Sequence, residues 1–410
     1  MTQAAFPESP KIEEIEPLEL KPVARTVSSL TLTVAPPSTR LLSLDALRGF
    51  DMFWILGGEG LVHAIFKLWP QTTLGILDSQ LDHKPWQGLA AYDLIFPTFV
   101  FVVGVSLVFS LSKLIETRGK GTAVRRVIQR GVVLYVLGLL YYGGISHGMA
   151  NLRLMGVLQR IALAYLFAGV MFCFVRPRTL VLVCVGLLVS YWALLSFVSV
   201  PGIGHASFQE GKNLANWIDS RFLPFYKWDG NHDPEGLLST LPAIATCLLG
   251  IFAGLLLRAT RPAPWQKVLT LLLVGAAGVA LGFYWGDQLP HTHVRAPWRF
   301  PVIKKIWTSS YVLAAAGYST IALGLFYLVL DVWKVRIWAA PFIWIGVNPI
   351  TLYLIERFVN YEKLAQLFVG DGNRTMLTPS AHSIAASVIA VAIMLSIARF
   401  FYKRQVFIRV

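Results

Sequence analysis

The stretch LDHKPWQGLAAYDLIFPTFVFVVG, residues 81–104, decides how the rest of the sequence is interpreted. It places His83 in a short polar loop just ahead of a long apolar run, and it places Asp93 inside that run. An aspartate within an apolar membrane segment must be paired, hydrogen-bonded or protonated. We interpret this stretch as the mouth of a membrane-embedded active site, and the remaining segments as the helix bundle that holds it.

The composition is typical of a polytopic membrane protein. Of 410 residues, 55% are hydrophobic and only 14% are charged, whereas a soluble domain carries about 25% charged residues. The net charge of +14 fits Lys- and Arg-rich cytoplasmic loops, and no basic face with interleaved aromatic residues indicates a nucleic-acid partner. All three cysteines lie in apolar runs, which favours buried thiols over a disulfide or metal site. We therefore expect no metal and no nucleic acid.

The apolar runs predict an all-α bundle of about ten transmembrane helices, because each run is near the ~20 residues that cross the hydrocarbon core. The predicted segments are 44–66, 88–112, 127–145, 156–175, 179–199, 236–257, 268–286, 307–330, 340–358 and 381–401. The polar, Pro-rich residues 1–39 predict a disordered cytoplasmic tail ahead of a transmembrane domain over residues 40–410.

The basic connections predict the orientation of the bundle. Residues 113–130 give the strongest cytoplasmic signal, since Lys and Arg accumulate in cytoplasmic loops. We therefore expect both termini in the cytoplasm and the His83 loop on the outer side. One outward connection, 287–306, breaks the rule with Arg295, Arg299, Lys304 and Lys305. Either lipid phosphates or an anionic ligand would explain it.

The first predicted segment is unusually polar. Asp45 and Arg48 are three residues apart and share a helix face, as do Glu59 and His63, four residues apart. Asp45 and Arg48 either pair at the cytoplasmic interface or face the bundle interior. Glu59 lies nearer the outer end of the segment, where an interfacial explanation fits less well.

His83 and Asp93 are the candidate chemical pair. A neutral imidazole accepts a proton from an attacking amine or hydroxyl near physiological pH. Asp93 would orient the ring if Pro85 and Trp86 turn the chain back, or it would pair with Arg160 instead. Pro97 lacks the N–H that would bond the Asp93 carbonyl, which leaves a polar pocket there.

Two further motifs interrupt the apolar pattern. HDPEG, residues 232–236, has the form of a helix start, with Asp233 as the cap and Pro234 in the first position. Its outward position also fits a substrate loop. Asn348 and Pro349 interrupt the ninth segment. The sequence contains no Walker loop, dinucleotide-binding glycine turn, HExxH or GxSxG elbow, so a soluble-type hydrolase or kinase is unsupported.

Seven motifs occur in order along the chain: SLDALRGF (43–50), HKPWQGL (83–89), AYDLIFPTFVFVVG (91–104), GVLQRIALAY (156–165), HDPEGLLST (232–240), WTSSYV (307–312) and GVNPITLY (346–353). Over about residues 41–410 they resemble the heparan-α-glucosaminide N-acetyltransferase family, and most closely its bacterial relatives of the NagX type.

The resemblance implies a transmembrane acyltransferase domain in a bacterial inner membrane, with the His83 loop facing the periplasm. Such an enzyme moves an acetyl group from cytoplasmic acetyl-CoA, the donor substrate, to the amine of glucosamine or a related amino sugar. The family's active-site histidine and aspartate match His83 and Asp93. We add Glu59 as a third catalytic candidate, although the lysosomal member has an asparagine at about this position. That member also has an extra luminal domain and one more crossing.

The remaining candidates bind the donor or the acceptor: Asp45, Arg48, Trp86, Arg160, Asp233, Glu235, Ser310 and Asn348. The expected partners are acetyl-CoA, the amino sugar and the lipid bilayer, and a homodimer is left open. Two alternatives remain. A proton-coupled sugar transporter would use Asp51, Glu59, His63 and Asp93 as a relay, and an O-acyltransferase would act on an envelope polysaccharide.

Overall fold

The computed structural model describes residues 41–67, 78–146, 148–205, 207–286, 298–370 and 378–406. Within these ranges the regular structure is helical, apart from isolated β-bridges. The predicted all-α membrane fold is therefore confirmed. The predicted tail over residues 1–39 and the basic residue Arg295 lie outside the described residues.

The main helices follow one another along the chain. They are α1 Leu42–Phe53, α2 Glu59–Phe66, α3 Ile95–Tyr141, α4 Val157–Phe174, α5 Pro177–Phe197, α6 Leu214–Phe222, α7 Thr240–Arg258, α8 Pro264–Trp285, α9 Ser309–Tyr327, α10 Ala340–Val347, α11 Pro349–Phe358, α12 Tyr361–Val369 and α13 Pro379–Lys403. Among the described residues, seven helices are long and apolar enough to cross a membrane, or up to eight if the bent pair α10 and α11 forms one span.

The predicted count of about ten spans is approximate for two reasons. Most of the second and third predicted segments lies in α3, on either side of an interruption at Gly119, where φ is 81°. Glycine adopts this left-handed conformation without a Cβ penalty. The first predicted segment consists of α1 and α2 joined by a π-helical turn, Trp54–Gly58, and its charged side chains make it less apolar than the other spans.

The bundle has two distinct ends. At one end, Tyr135 donates to the Leu154 carbonyl across a 2.9 Å hydrogen bond, close to where α4 begins. At the other end, Arg258 at the end of α7 pairs with Glu116, three residues before the break at Gly119. Because Asp93 precedes α3, it lies at the first of these ends, which we call the His83 end.

Glycines allow the helices that carry the polar residues to cross closely. A Cβ on Gly104 of α3 would lie 2.0 Å from the Cys247 carbonyl oxygen, and one on Gly250 of α7 would lie 1.9 Å from that of Phe101. Gly346 of α10 meets the Asp45 carbonyl oxygen of α1 in the same way, at 1.7 Å. Small residues at crossings permit backbone contact where the hydrophobic effect between helices is weak.

The predicted interruption at Asn348 and Pro349 is confirmed. Helices α10 and α11 meet there at a bend of 69°, and Asn348 donates from Nδ2 to the Val406 carbonyl at 2.8 Å. The bend turns α11 so that Ile350 and Tyr353 line a cavity described below.

The connections 200–235 and 359–380 lie between predicted segments and contain the short helices α6 and α12. One local prediction is wrong. The HDPEG motif does not start a helix, because α7 begins at Thr240 and is preceded by Ser239. Asp233 instead accepts hydrogen bonds from a buried arginine. A long-range ion pair therefore replaced the local capping role that the sequence pattern favours.

Candidate active site

The Asp93 carboxylate closes the loop that carries His83. Its Oδ1 atom lies 2.8 Å from His83 Nδ1. Its Oδ2 atom accepts hydrogen bonds from the backbone N–H groups of Lys84 and Ala90 at 3.2 and 3.0 Å. The predicted turn back through Pro85 and Trp86 is therefore present. Because the carboxylate accepts from Nδ1–H, the pairing leaves the lone pair of the neutral imidazole on Nε2.

Lys304 completes this pair from a distant part of the chain. Its Nζ atom lies 3.0 Å from Asp93 Oδ1 and 2.9 and 3.3 Å from His83 Nδ1 and Nε2. Burial lowers the pKa of Lys304, and the Asp93 carboxylate opposes that shift. We predicted that lipid phosphates or an anionic ligand would explain the positive charge of the 287–306 connection. Lys304 instead pairs with the carboxylate of Asp93.

The Asp93 side chain is completely buried, and both of its carboxylate oxygens have hydrogen-bond partners. Tyr311 of α9 donates its hydroxyl to the Asp93 carbonyl at 2.7 Å, which replaces the backbone donor that Pro97 cannot supply. The alternative pairing of Asp93 with Arg160 is wrong, because Arg160 donates to the Gly236 carbonyl and to Ser239. The carboxylate is held rigidly, while 54% of the His83 side chain remains exposed.

His83 and Lys304 lie at the polar rim of a cavity of about 250 Å³. The other lining residues are mostly apolar and come from several helices: Met52, Ile55, Ile95, Phe96, Phe99, Val157, Leu158, Ile161, Ile350 and Tyr353. Glu235 and Tyr92 add polar atoms to the lining. Pockets for small ligands usually measure about 300–1,000 Å³, so this cavity suits an acyl-bearing arm or one sugar ring.

Glu235 belongs to a buried ion cluster built on Arg153. This arginine donates to both Asp233 oxygens at 2.9 and 2.7 Å and to Glu235 Oε2 at 2.7 Å. Its guanidinium also lies over the rings of Tyr142 and Trp228, at 4.5 and 4.9 Å from their centroids. The cluster joins the loop before α4 to the loop before α7 at the cavity wall.

The two carboxyl groups of this cluster differ electrostatically. Burial opposes ionisation of Asp233, but its bidentate bonds with Arg153 outweigh burial and lower its pKa. Burial dominates at Glu235 and raises its pKa despite the contact with Arg153. The pair therefore presents one firmly ionised carboxylate and one carboxyl that protonates more readily, and the latter faces the cavity.

Glu59 is connected to the His83 ring through Tyr92. It interacts with the Tyr92 side chain, whose ring centroid lies 4.7 Å from that of His83. Glu59 is also 3.6 Å from His63 Nε2, and His63 Nδ1 lies 2.6 Å from Asp78. Glu59 thus reaches His83 through Tyr92, and its predicted catalytic role stays a prediction.

The other predicted binding residues are dispersed. Asp45 and Arg48 pair at 3.3 Å, and Arg48 also contacts the partly buried Ser106 of α3. Trp86 donates from Nε1 to the Phe208 carbonyl at 2.8 Å, which anchors the His83 loop to the 200–239 region. Arg160 lies over Trp307, 4.9 Å from its ring centroid. Ser310 donates to the Pro301 carbonyl at 3.1 Å, and Asn348 supports the helix bend.

Comparison with known proteins identifies the family. A family model described as "Heparan-alpha-glucosaminide N-acetyltransferase, catalytic" matches residues 40–284, more than half of the chain. The chain belongs to the heparan-alpha-glucosaminide N-acetyltransferase family. It is 27% identical to the mouse protein of that name over an alignment of 442 residues, which covers 90% of this chain and 61% of the relative. The human protein is 26% identical over 444 residues, with 92% and 60% covered.

The chain thus spans about three fifths of the length of these heparan-alpha-glucosaminide N-acetyltransferases. Its family membership and its apolar helices make it a multi-pass membrane protein. Assignment to the bacterial NagX type stays a prediction. Sequence reasoning missed Arg153 altogether and did not connect Lys304 with Asp93. The signal for Lys304 was present, because it lies in the one connection predicted to face outward that carries several positive charges.

Proposed function

We propose that this protein is an acetyl-CoA:amino-sugar N-acetyltransferase that uses His83 at the outer rim of its cavity. The proposal depends most on one observation: an exposed imidazole, oriented by a buried carboxylate and flanked by an ammonium group, stands at the mouth of an apolar cavity. Family membership supports the reaction class.

The cavity suits the donor. A thioester arm is slender and largely apolar, whereas the nucleotide end of acetyl-CoA is highly charged. A space of about 250 Å³ holds the arm and leaves the nucleotide outside it. We propose that basic residues on the cytoplasmic side bind the phosphates and that the acetyl group reaches the rim beside His83.

The chemistry follows from the positions of the two nitrogen groups. The amine of the sugar attacks the thioester carbonyl carbon, and its proton moves to His83 Nε2. The ammonium of Lys304 stabilises the negative charge that develops on the carbonyl oxygen. The C–S bond then breaks, and the departing sulfur takes the proton from His83. The products are the N-acetyl sugar and the free thiol of the coenzyme.

The test uses proteoliposomes that contain acetyl-CoA inside and receive glucosamine outside. We expect N-acetylglucosamine outside, detected by a mass increase of one acetyl group. His83→Ala should abolish the product, while Asp82→Ala, a neighbouring change at a side chain that is 71% exposed, should retain it. Unmodified labelled sugar accumulating inside would instead favour a transporter, and product from His83→Ala at the wild-type rate would refute the proposal.

A second measurement separates the two roles open to His83. Labelled acetyl-CoA is supplied without an acceptor, and the protein is analysed for bound acetyl group. Accumulation of label that His83→Ala abolishes would show a transient acetyl-enzyme on the imidazole. An unlabelled protein that still acetylates sugar in one turnover would establish direct transfer with His83 as the base.

A further inference from the structure

A second polar cluster lies outside the active site, in the loops that precede α6 and α7. Glu210, Asp229 and His232 bring two carboxylate oxygens and one imidazole nitrogen within 4.8 Å of one another. Glu210 is exposed, whereas His232 is buried. One nitrogen and two carboxylate oxygens form a donor set common at metal centres.

The histidine of this cluster is already oriented as a ligand. His232 Nδ1 lies 2.6 Å from the side-chain oxygen of Asn231. An amide oxygen only accepts hydrogen bonds, so Nδ1 carries the ring proton and Nε2 carries the lone pair. Nε2 lies 3.7 Å from Asp229 Oδ2 and 4.0 Å from Glu210 Oε1. Among the described residues, this buried nitrogen has no hydrogen-bond partner. A lone pair that faces two carboxylates calls for a cation.

Lys305 answers only part of that requirement. Its Nζ atom lies 2.8 Å from Glu210 Oε1 and 3.1 Å from Asp229 Oδ2, so it neutralises the carboxylates. It leaves the imidazole nitrogen unsatisfied. The Lys305 side chain is 29% exposed, and its flexible stem allows the ammonium to move to solvent.

We propose that Glu210, Asp229 and His232 bind a divalent transition-metal ion of the Zn²⁺ class, which displaces the Lys305 ammonium. Ligand atoms around tetrahedral Zn²⁺ lie about 3.4 Å apart, given bond lengths near 2.0–2.2 Å. The donors lie within 4.8 Å of one another, so they must contract by up to about 1.4 Å to reach this spacing, which the exposed Glu210 side chain permits. A water molecule takes the fourth position. This proposal departs from our expectation that the chain holds no metal, and it does not depend on the proposed function.

The site would link segments that shape the cavity mouth. His232 precedes Asp233, whose pair with Arg153 holds Glu235 at the cavity wall. Lys305 follows Lys304, which contacts Asp93. A bound ion would therefore fix the loop before α7 and release the neighbour of an active-site lysine.

The test is a Co²⁺ titration of the untagged full-length protein in detergent, freed of metal beforehand. We expect one equivalent to bind, with the strong visible absorption of Co²⁺ in low coordination, and Zn²⁺ to displace it. Asn231→Ala should weaken binding by about 10- to 100-fold, as removal of a group that orients a ligand does. Lys305→Met should tighten binding because it removes the competing cation.

The controls separate the site from general metal affinity. His205→Ala changes an exposed histidine in the same connection and should leave the titration unchanged. His232→Ala and Glu210→Gln should each abolish the absorption. Glu210→Gln changes an exposed side chain, so it remains informative if the histidine variant does not fold. The proposal is overturned if the wild type binds no Co²⁺, if binding persists in Glu210→Gln, or if Lys305→Met does not tighten it.

Discussion

Asp93→Asn is the sharpest test of the proposed active-site geometry, because it changes charge and hydrogen bonding with almost no change in volume. One carboxylate oxygen serves His83 and Lys304, and the other serves the backbone N–H groups of Lys84 and Ala90. An amide has only one oxygen. If that oxygen stays with the backbone, the NH₂ group faces His83 and Lys304, and the imidazole must turn its proton to Nε2.

The magnitude follows from these lost contacts. Each hydrogen bond to a charged group contributes about 1.5–3 kcal/mol, and two such bonds to Oδ1 are lost or reversed. In a serine protease the corresponding Asp→Asn change costs about 10⁴ in turnover through the wrong tautomer. We expect acetyl transfer by Asp93→Asn to fall by about 10²- to 10⁴-fold, while the protein still inserts into the membrane.

The assay is the initial rate of acetylglucosamine formation at saturating acetyl-CoA, compared with Asp82→Asn as the matched control. Size-exclusion profiles and thermal melting in detergent report the folded fraction of each variant. The reasoning would be refuted if well-folded Asp93→Asn kept a rate within about threefold of the wild type, since a 1.4 kcal/mol effect is already tenfold.

Three further outcomes are expected. Arg153→Met should lower the free energy of unfolding by about 3–5 kcal/mol, because it leaves two buried carboxyl groups without their cation. Thermal melting measures this loss. The control Arg221→Met, at an exposed site, should lower the melting temperature only slightly. Burial raises the pKa of Asp219 to about 6 from its ordinary 3.8, so the folded protein holds a proton that the unfolded chain has lost. This proton therefore contributes roughly 3 kcal/mol to stability below about pH 4, and the contribution is lost as the pH rises to about 6. In Asp219→Asn, the melting temperature should depend less on pH over that window. Gly346→Ala should destabilise by about 1–3 kcal/mol, because the new methyl group meets the Asp45 carbonyl oxygen; equal melting temperatures would contradict the close crossing.

The sequence predicted what local pattern determines. Apolar runs gave the helical membrane fold, and Asn348–Pro349 gave the broken span. The pairing of His83 with Asp93 was predictable because only ten residues separate them and a proline lies between. These features depend on short-range geometry or on transfer of apolar segments into lipid.

The missed contacts all join distant parts of the chain. Lys304 lies 211 residues from Asp93, and Arg153 lies 80 residues from Asp233. Hydropathy does not predict which buried charges pair, because any oppositely charged group that the fold brings near can offset the cost of burying a charge. For the same reason, HDPEG had the pattern of a helix cap, although its aspartate is taken by a remote arginine.

The hydrogen bonds of the Asp93 carboxylate limit how the His83 loop can evolve. The same carboxylate fixes the start of the loop at Lys84 and its end at Ala90, in addition to the histidine ring. Insertion or deletion of even one residue between these anchors would pull an N–H away from its acceptor or rotate the ring off its axis. The number of residues from His83 to Asp93 is therefore constrained, and insertions or deletions in relatives should fall outside this interval.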